Sequence, residues 1–80
     1  MTIEQLRTTH RATPFQPFSI RMADGRQFPI PHPDFLSTSP SGRTAVIFHP
    51  DGSASIVDPL LMTELELSSP SASRAQPTGP

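Results

Sequence analysis

Eighty residues, a formal charge of −1 from six arginines against seven acids, and no cysteine set the outer limits of this chain. The length allows one domain. The near-neutral charge excludes binding to nucleic acid or membrane that is driven by basic excess, and the missing cysteines exclude a disulfide framework and thiolate metal sites.

The opening reads as one short helix. Thr2 followed by Gln5 matches a capping box with Thr2 as N-cap. Ile3 and Leu6 fall on one face, His10 extends the stripe, Arg7 and Arg11 flank it, and Pro14 sets the latest end. A helix this short does not persist alone in water, so it must dock on its own sheet or on a neighbouring chain.

Two Asp-Gly turns follow, and side-chain parity selects their geometry. In FSIRMADGRQFPI (18–30) a two-residue loop would put Ile20 opposite Pro29 and send Phe28 to the other face. A three-residue loop, Ala23-Asp24-Gly25, pairs Ile20 with Phe28 and Phe18 with Ile30, with Gly25 left-handed in a G1 bulge. In TAVIFHPDGSASIVD (44–58) the loop Pro50-Asp51-Gly52 likewise pairs Phe48 with Ala54 and Val46 with Ile56, so these four share a face.

Between the hairpins, PHPDFLSTSPSG (31–42) continues the alternation of Pro29, Pro31 and Pro33 with Phe28, Ile30 and His32. Prolines cannot donate ladder hydrogen bonds, so this end of the strand is an edge or a bulged exit. Phe35 and Leu36 are expected to reach into the core from a short turn. Asp58 as a cap and Pro59 as the first residue of a turn lead through Leu60 and Leu61 into a last strand, where Leu65 and Leu67 alternate with Glu64 and Glu66. Residues 68–80, SSPSASRAQPTGP, carry no large apolar side chain and read as a disordered tail beyond a small β domain at 1–67.

Five short antiparallel strands with one turn before the last predict a mostly β fold, a five-stranded SH3-like or Sm-like barrel with the N-terminal helix across one open end. The alternative is an open, twisted meander. MTIEQLRTTH has no apolar signal-peptide core, and runs such as AVIF (45–48) are far too short to span a bilayer, so the expected address is cytoplasmic, without membrane contact.

Few residues point to chemistry. HPD occurs at His32-Pro33-Asp34 and at His49-Pro50-Asp51. A J-domain carries HPD between two helices, whereas β patterns flank both copies here. A metal site from His32, Asp34, His49 and Asp51 would use suitable ligand types, but turn formation accounts for both strings. No nucleophile elbow, P-loop or dinucleotide fingerprint is present, so neither an enzyme nor a cofactor is expected.

Arg7, Arg11, Arg21, Arg26 and Arg43 could in principle converge on RNA, which is the alternative function, that of an Sm-like RNA binder. Dispersed solvating charge accounts for them better, and there is no Tyr or Trp to stack on bases. Leu60 and Leu61 project in different directions from one turn, so at most one need enter the core, although packing of both under the sheet accounts for them at least as well. With Ile3 and Leu6 they are the candidate surface for a protein partner or for self-association. The function expected is therefore a non-enzymatic interaction module.

The segments PFQPFSIRMADGR (14–26), HPDF (32–35), SGR (41–43), the Asp51-Gly52 turn and IVDPLL (56–61) together resemble a family of short, uncharacterised bacterial proteins. The resemblance covers most of residues 3–67 and implies a bacterial single-domain protein. It brings no catalytic or binding residue with it. The Ser/Pro tail and the proline-studded strand at 29–33 depart from the family pattern.

Overall fold

A computed structural model of the chain describes residues 2–67; the tail expected at 68–80 lies outside the described residues. Helix α1 spans Ile3–His10, and six strands follow: β1 Phe18–Met22, β2 Gln27–Ile30, β3 Leu36–Thr38, β4 Ala45–Phe48, β5 Ala54–Val57 and β6 Met62–Leu67. Both halves of the capping box form. The Gln5 N–H donates to Thr2 Oγ1 at 3.2 Å and the Thr2 N–H to Gln5 Oε1 at 2.9 Å, closing two donors that a helix start leaves open.

Both hairpins adopt the three-residue loop that parity selects. Phe18 pairs with Ile30 and Ile20 with Phe28, while Val46 pairs with Ile56 and Phe48 with Ala54. Gly25 and Gly52 sit at φ +93° and +94°, in the region that disfavours a side chain. In each loop the aspartate accepts from the backbone two residues on, Asp24 from the Arg26 N–H at 3.0 Å and Asp51 from the Ser53 N–H at 2.9 Å. The Ser53 hydroxyl adds a second bond to Asp51 Oδ1 at 2.6 Å, and this hydroxyl, ahead of the N–H, holds the Asp51 carboxyl below its ordinary 3.8.

The five-stranded barrel is not what forms. The described residues form six strands in two three-stranded antiparallel sheets, ordered β2-β1-β6 and β3-β4-β5, and neither is closed among them. The cause lies in the prolines after Ile30. Pro33–Phe35 make one 3-10 turn, in which the Phe35 N–H donates to His32 O at 3.0 Å, and the turn cuts what would be one strand from Gln27 to Thr38 into β2 and β3. Each piece then pairs in a different sheet, β2 with β1 and β3 with β4. Leu36, expected in a turn, is the first residue of β3 and lies opposite Ile47.

The inner faces of the sheets share one core, built from Phe18, Ile20, Phe28 and Ile30 on one side and Leu36, Ala45, Ile47 and Val57 on the other, with Leu6 of α1 and Met62 of β6. The helix is anchored by more than Leu6. Arg7 Nη2 donates to the carbonyls of Ser39 and Pro40 at 3.1 and 2.8 Å, and His10 Nε2 bonds the Pro33 carbonyl at 2.8 Å. Thus α1 holds the β3–β4 connection and the 3-10 turn together.

Three outcomes follow from these contacts. Substituting alanine for Gly25 or Gly52 meets no atom within 4 Å, so the cost is conformational; chemical denaturation should show a loss of about 1 kcal/mol or more at either site. Ile47→Ala removes a fully buried side chain and should cost about 2–5 kcal/mol, whereas Ile56→Ala, on the opposite face, should stay within about 0.5 kcal/mol. Because the folded state favours the Asp51 carboxylate, its contribution to stability is present above pH 3.8 and is lost as pH falls through the lower folded value. An NMR titration should place that carboxyl below 3.8, and Ser53→Ala should bring it back toward that value.

Candidate interaction surface

The two sheets present opposite chemistry to solvent. On the outer face of β2-β1-β6, Arg21 is paired across the strands with Gln27 and Glu64. Its Nε donates to Glu64 Oε1 at 3.0 Å and its Nη2 lies 3.8 Å from Glu66 Oε1, which also accepts from Gln27 Nε2 at 3.0 Å. On this face Arg21, Gln27, Glu64 and Glu66 are engaged with one another.

The outer face of β3-β4-β5 carries Ser37, Val46, Phe48, Ala54 and Ile56, placed there by the Ser37–Val46, Val46–Ile56 and Phe48–Ala54 pairings. Phe48 is 42% exposed and Ile56 76%. The shared face expected for the second hairpin is therefore the solvent face, while Ala45, Ile47 and Val57 point inward. AVIF is apolar at every position, so parity within the hairpin leaves the inward side open; the Leu36–Ile47 pairing decides it. A strand that is apolar on both faces was the one sequence signal for this surface.

Leu60 and Leu61 are also exposed, at 86% and 53%. The reason is local. Asp58 Oδ1 caps the Leu60 N–H at 2.9 Å, Pro59 turns inward and is buried, and the 3-10 turn Pro59–Leu61 leaves the two leucines outside. They face different recesses, as expected. Leu60 borders a groove of about 670 Å3 with Ile3, Gly42, Arg43 and Asp58, and Leu61 borders one of about 350 Å3 with Met22, Asp24 and Arg26. Of the other two candidates, Ile3 is partly buried and packs on the core, and Leu6 is fully buried, so Leu6 offers no contact to a partner.

The arginines lie in separate surroundings. Arg7 and Arg11 line one shallow hollow with Glu4, Arg21 belongs to the paired face, and Arg43 borders the Leu60 groove. Arg26 bonds Asp24 at 2.7 Å with its guanidinium 5.5 Å from the centre of the Phe28 ring. The HPD residues are likewise apart. His32 precedes the 3-10 turn Pro33–Phe35 and Asp34 lies within it, while His49 Nε2 bonds Ser55 Oγ at 2.9 Å and Asp51 turns to Ser53. Among the described residues no three metal-ligating side chains gather.

Compared with protein-family models, curated proteins and solved structures, the chain matches none.

Proposed function

We propose that this chain is a non-enzymatic protein-interaction module that docks through the outer face of β3-β4-β5, with the exposed Leu60–Leu61 turn that follows β5 as a second apolar contact. The observation that carries this reading is the contrast between the two solvent faces. One engages its polar side chains with one another through Arg21, Glu64, Glu66 and Gln27, and the other leaves Phe48 and Ile56 exposed. Exposed apolar side chains grouped on one sheet face, in a domain with few residues to spare for its core, are better accounted for by a contact surface than by folding.

The His49–Ser55 contact does not favour hydrolysis, because the nearest acid in sequence, Asp51, directs its Oδ1 to Ser53 rather than to the imidazole. RNA binding has little to draw on, since Arg7, Arg21 and Arg26 are already engaged by carbonyls or carboxylates. On this reading the protein works in the cytoplasm of a bacterium, where a chain without cysteine loses nothing to reduction.

The test is capture from bacterial extract on the immobilised chain, with Phe48→Ser/Ile56→Ser set against Arg21→Ala as the control on the opposite face. Bound proteins should be lost with the first variant, kept with the second, and little affected by high salt. Capture that survives the loss of Phe48 and Ile56, or a labelled single-stranded RNA that binds at physiological salt with a steep salt slope, would overturn the reading.

A further inference from the structure

We propose that the free edge of β5 receives an extended strand from a partner protein, one with apolar residues at alternate positions and a basic residue at each end. This rests on the interaction-module reading and names the partner's chemistry.

The backbone pattern comes first. The His49 N–H donates to Ser53 O at 2.9 Å, and Ile47 lies opposite Ser55 and Ala45 opposite Val57. Antiparallel ladders alternate, so Ser53, Ser55 and Val57 turn their N–H and C=O groups toward β4, while Ala54 and Ile56 turn theirs away from it. In the order β3-β4-β5 no strand among the described residues pairs with that side. An edge of this kind is a template for one more strand.

The other edges are less open. On β2, the Met22–Arg26 closure at 2.8 Å puts Pro29 where its nitrogen faces outward, so that edge lacks a donor, and Pro31 follows. Strand β3 is three residues long and runs into Pro40. Beside β6, the α1 side chains Glu4, Gln5, Thr8 and Thr9 overlook the strand across a shared hollow. On β5, SASIV (53–57) has no proline and no charge.

Charge then selects the occupant. Asp51 and Asp58, both exposed, bracket β5 at its two ends. Were a second copy to pair its β5 antiparallel about a two-fold axis at Ser55, Asp58 would lie beside Gly52 of the other copy, next to Asp51, at both ends of the ladder. Like charges so placed oppose pairing. A peptide with Arg or Lys at its ends meets the same carboxylates favourably, even though Arg43 borders the groove that Asp58 lines and weakens that end. Apolar residues on the outer side of the added strand would extend the patch formed by Ile56, Val46 and Phe48.

The experiment titrates the isotope-labelled full chain with the blocked peptide Arg-Val-Thr-Val-Thr-Val-Arg, with the same peptide carrying Glu at both ends, and with an Arg-flanked version N-methylated at alternate amides. Changes made in the peptide leave folding of the chain untouched. The Arg-flanked peptide should shift the amides of residues 53–58, chiefly Ala54 and Ile56, and bind about tenfold tighter than the Glu-flanked one, as two exposed charge pairs allow. N-methylation should abolish binding. Asp51→Asn/Asp58→Asn, which keeps an acceptor oxygen at each turn, should remove most of the difference between the flanks. The proposal is overturned by no binding, by equal binding of both flanks, by shifts centred on β2 or β6, or by dimerisation of the chain through β5. If those results appear while extract capture still depends on Phe48 and Ile56, the module reading stands and only the edge assignment fails.

Discussion

Everything in this fold depends on where the chain can no longer continue a ladder. Pro29, Pro31 and Pro33 each lack an N–H, and at Pro33 the chain turns through a 3-10 segment before Leu36 resumes extended structure. A strand able to donate along its whole length would have bridged the two sheets and tied them into one. Here the bridge is replaced by a corner, and each half of the strand serves a separate three-stranded sheet.

A corner of this kind needs support from outside the ladder, and α1 provides it. His10 bonds the Pro33 carbonyl, Arg7 bonds the carbonyls of Ser39 and Pro40, and Leu6 enters the shared core between those two grips. The arginine and histidine thereby satisfy backbone acceptors in loops where no strand is available to do so. The helix is too short to be stable alone, and the loops need a donor; each resolves the other's deficit.

With two sheets closing one core, each is left with an outer face, and the residues there answer to solvent or to a partner. The β2-β1-β6 face is a set of cross-strand polar pairs centred on Arg21. Among the described residues the β3-β4-β5 face has nothing comparable, and its Phe48 and Ile56 side chains stand on a sheet whose β5 edge no described strand pairs. Apolar face and open edge on the same sheet make a surface suited to an added strand, because the edge fixes the direction of the guest while the face accepts its side chains.

Much of the local chemistry was legible in the sequence. The Thr2–Gln5 capping box, both three-residue turns with their left-handed glycines, both hairpin registers and the Asp58-capped turn follow from steric and hydrogen-bonding rules that act over a few residues. The exposure of both Leu60 and Leu61 was not legible, since the sequence equally allowed them to pack under the sheet. What lay beyond local rules was decided by pairing at a distance. Nothing near Leu36 in sequence says that it will pair with Ile47, yet that pairing creates β3, divides the sheets and turns Ile47 inward. Leu6, on the same helical face as Ile3, was a surface candidate until the helix docked and buried it. The apolar outer face of β3-β4-β5 had the same fate in reverse. Val46, Phe48 and Ile56 share one side of a hairpin that is apolar on both sides, and only the core formed by strands far apart in the chain determined which side would meet water.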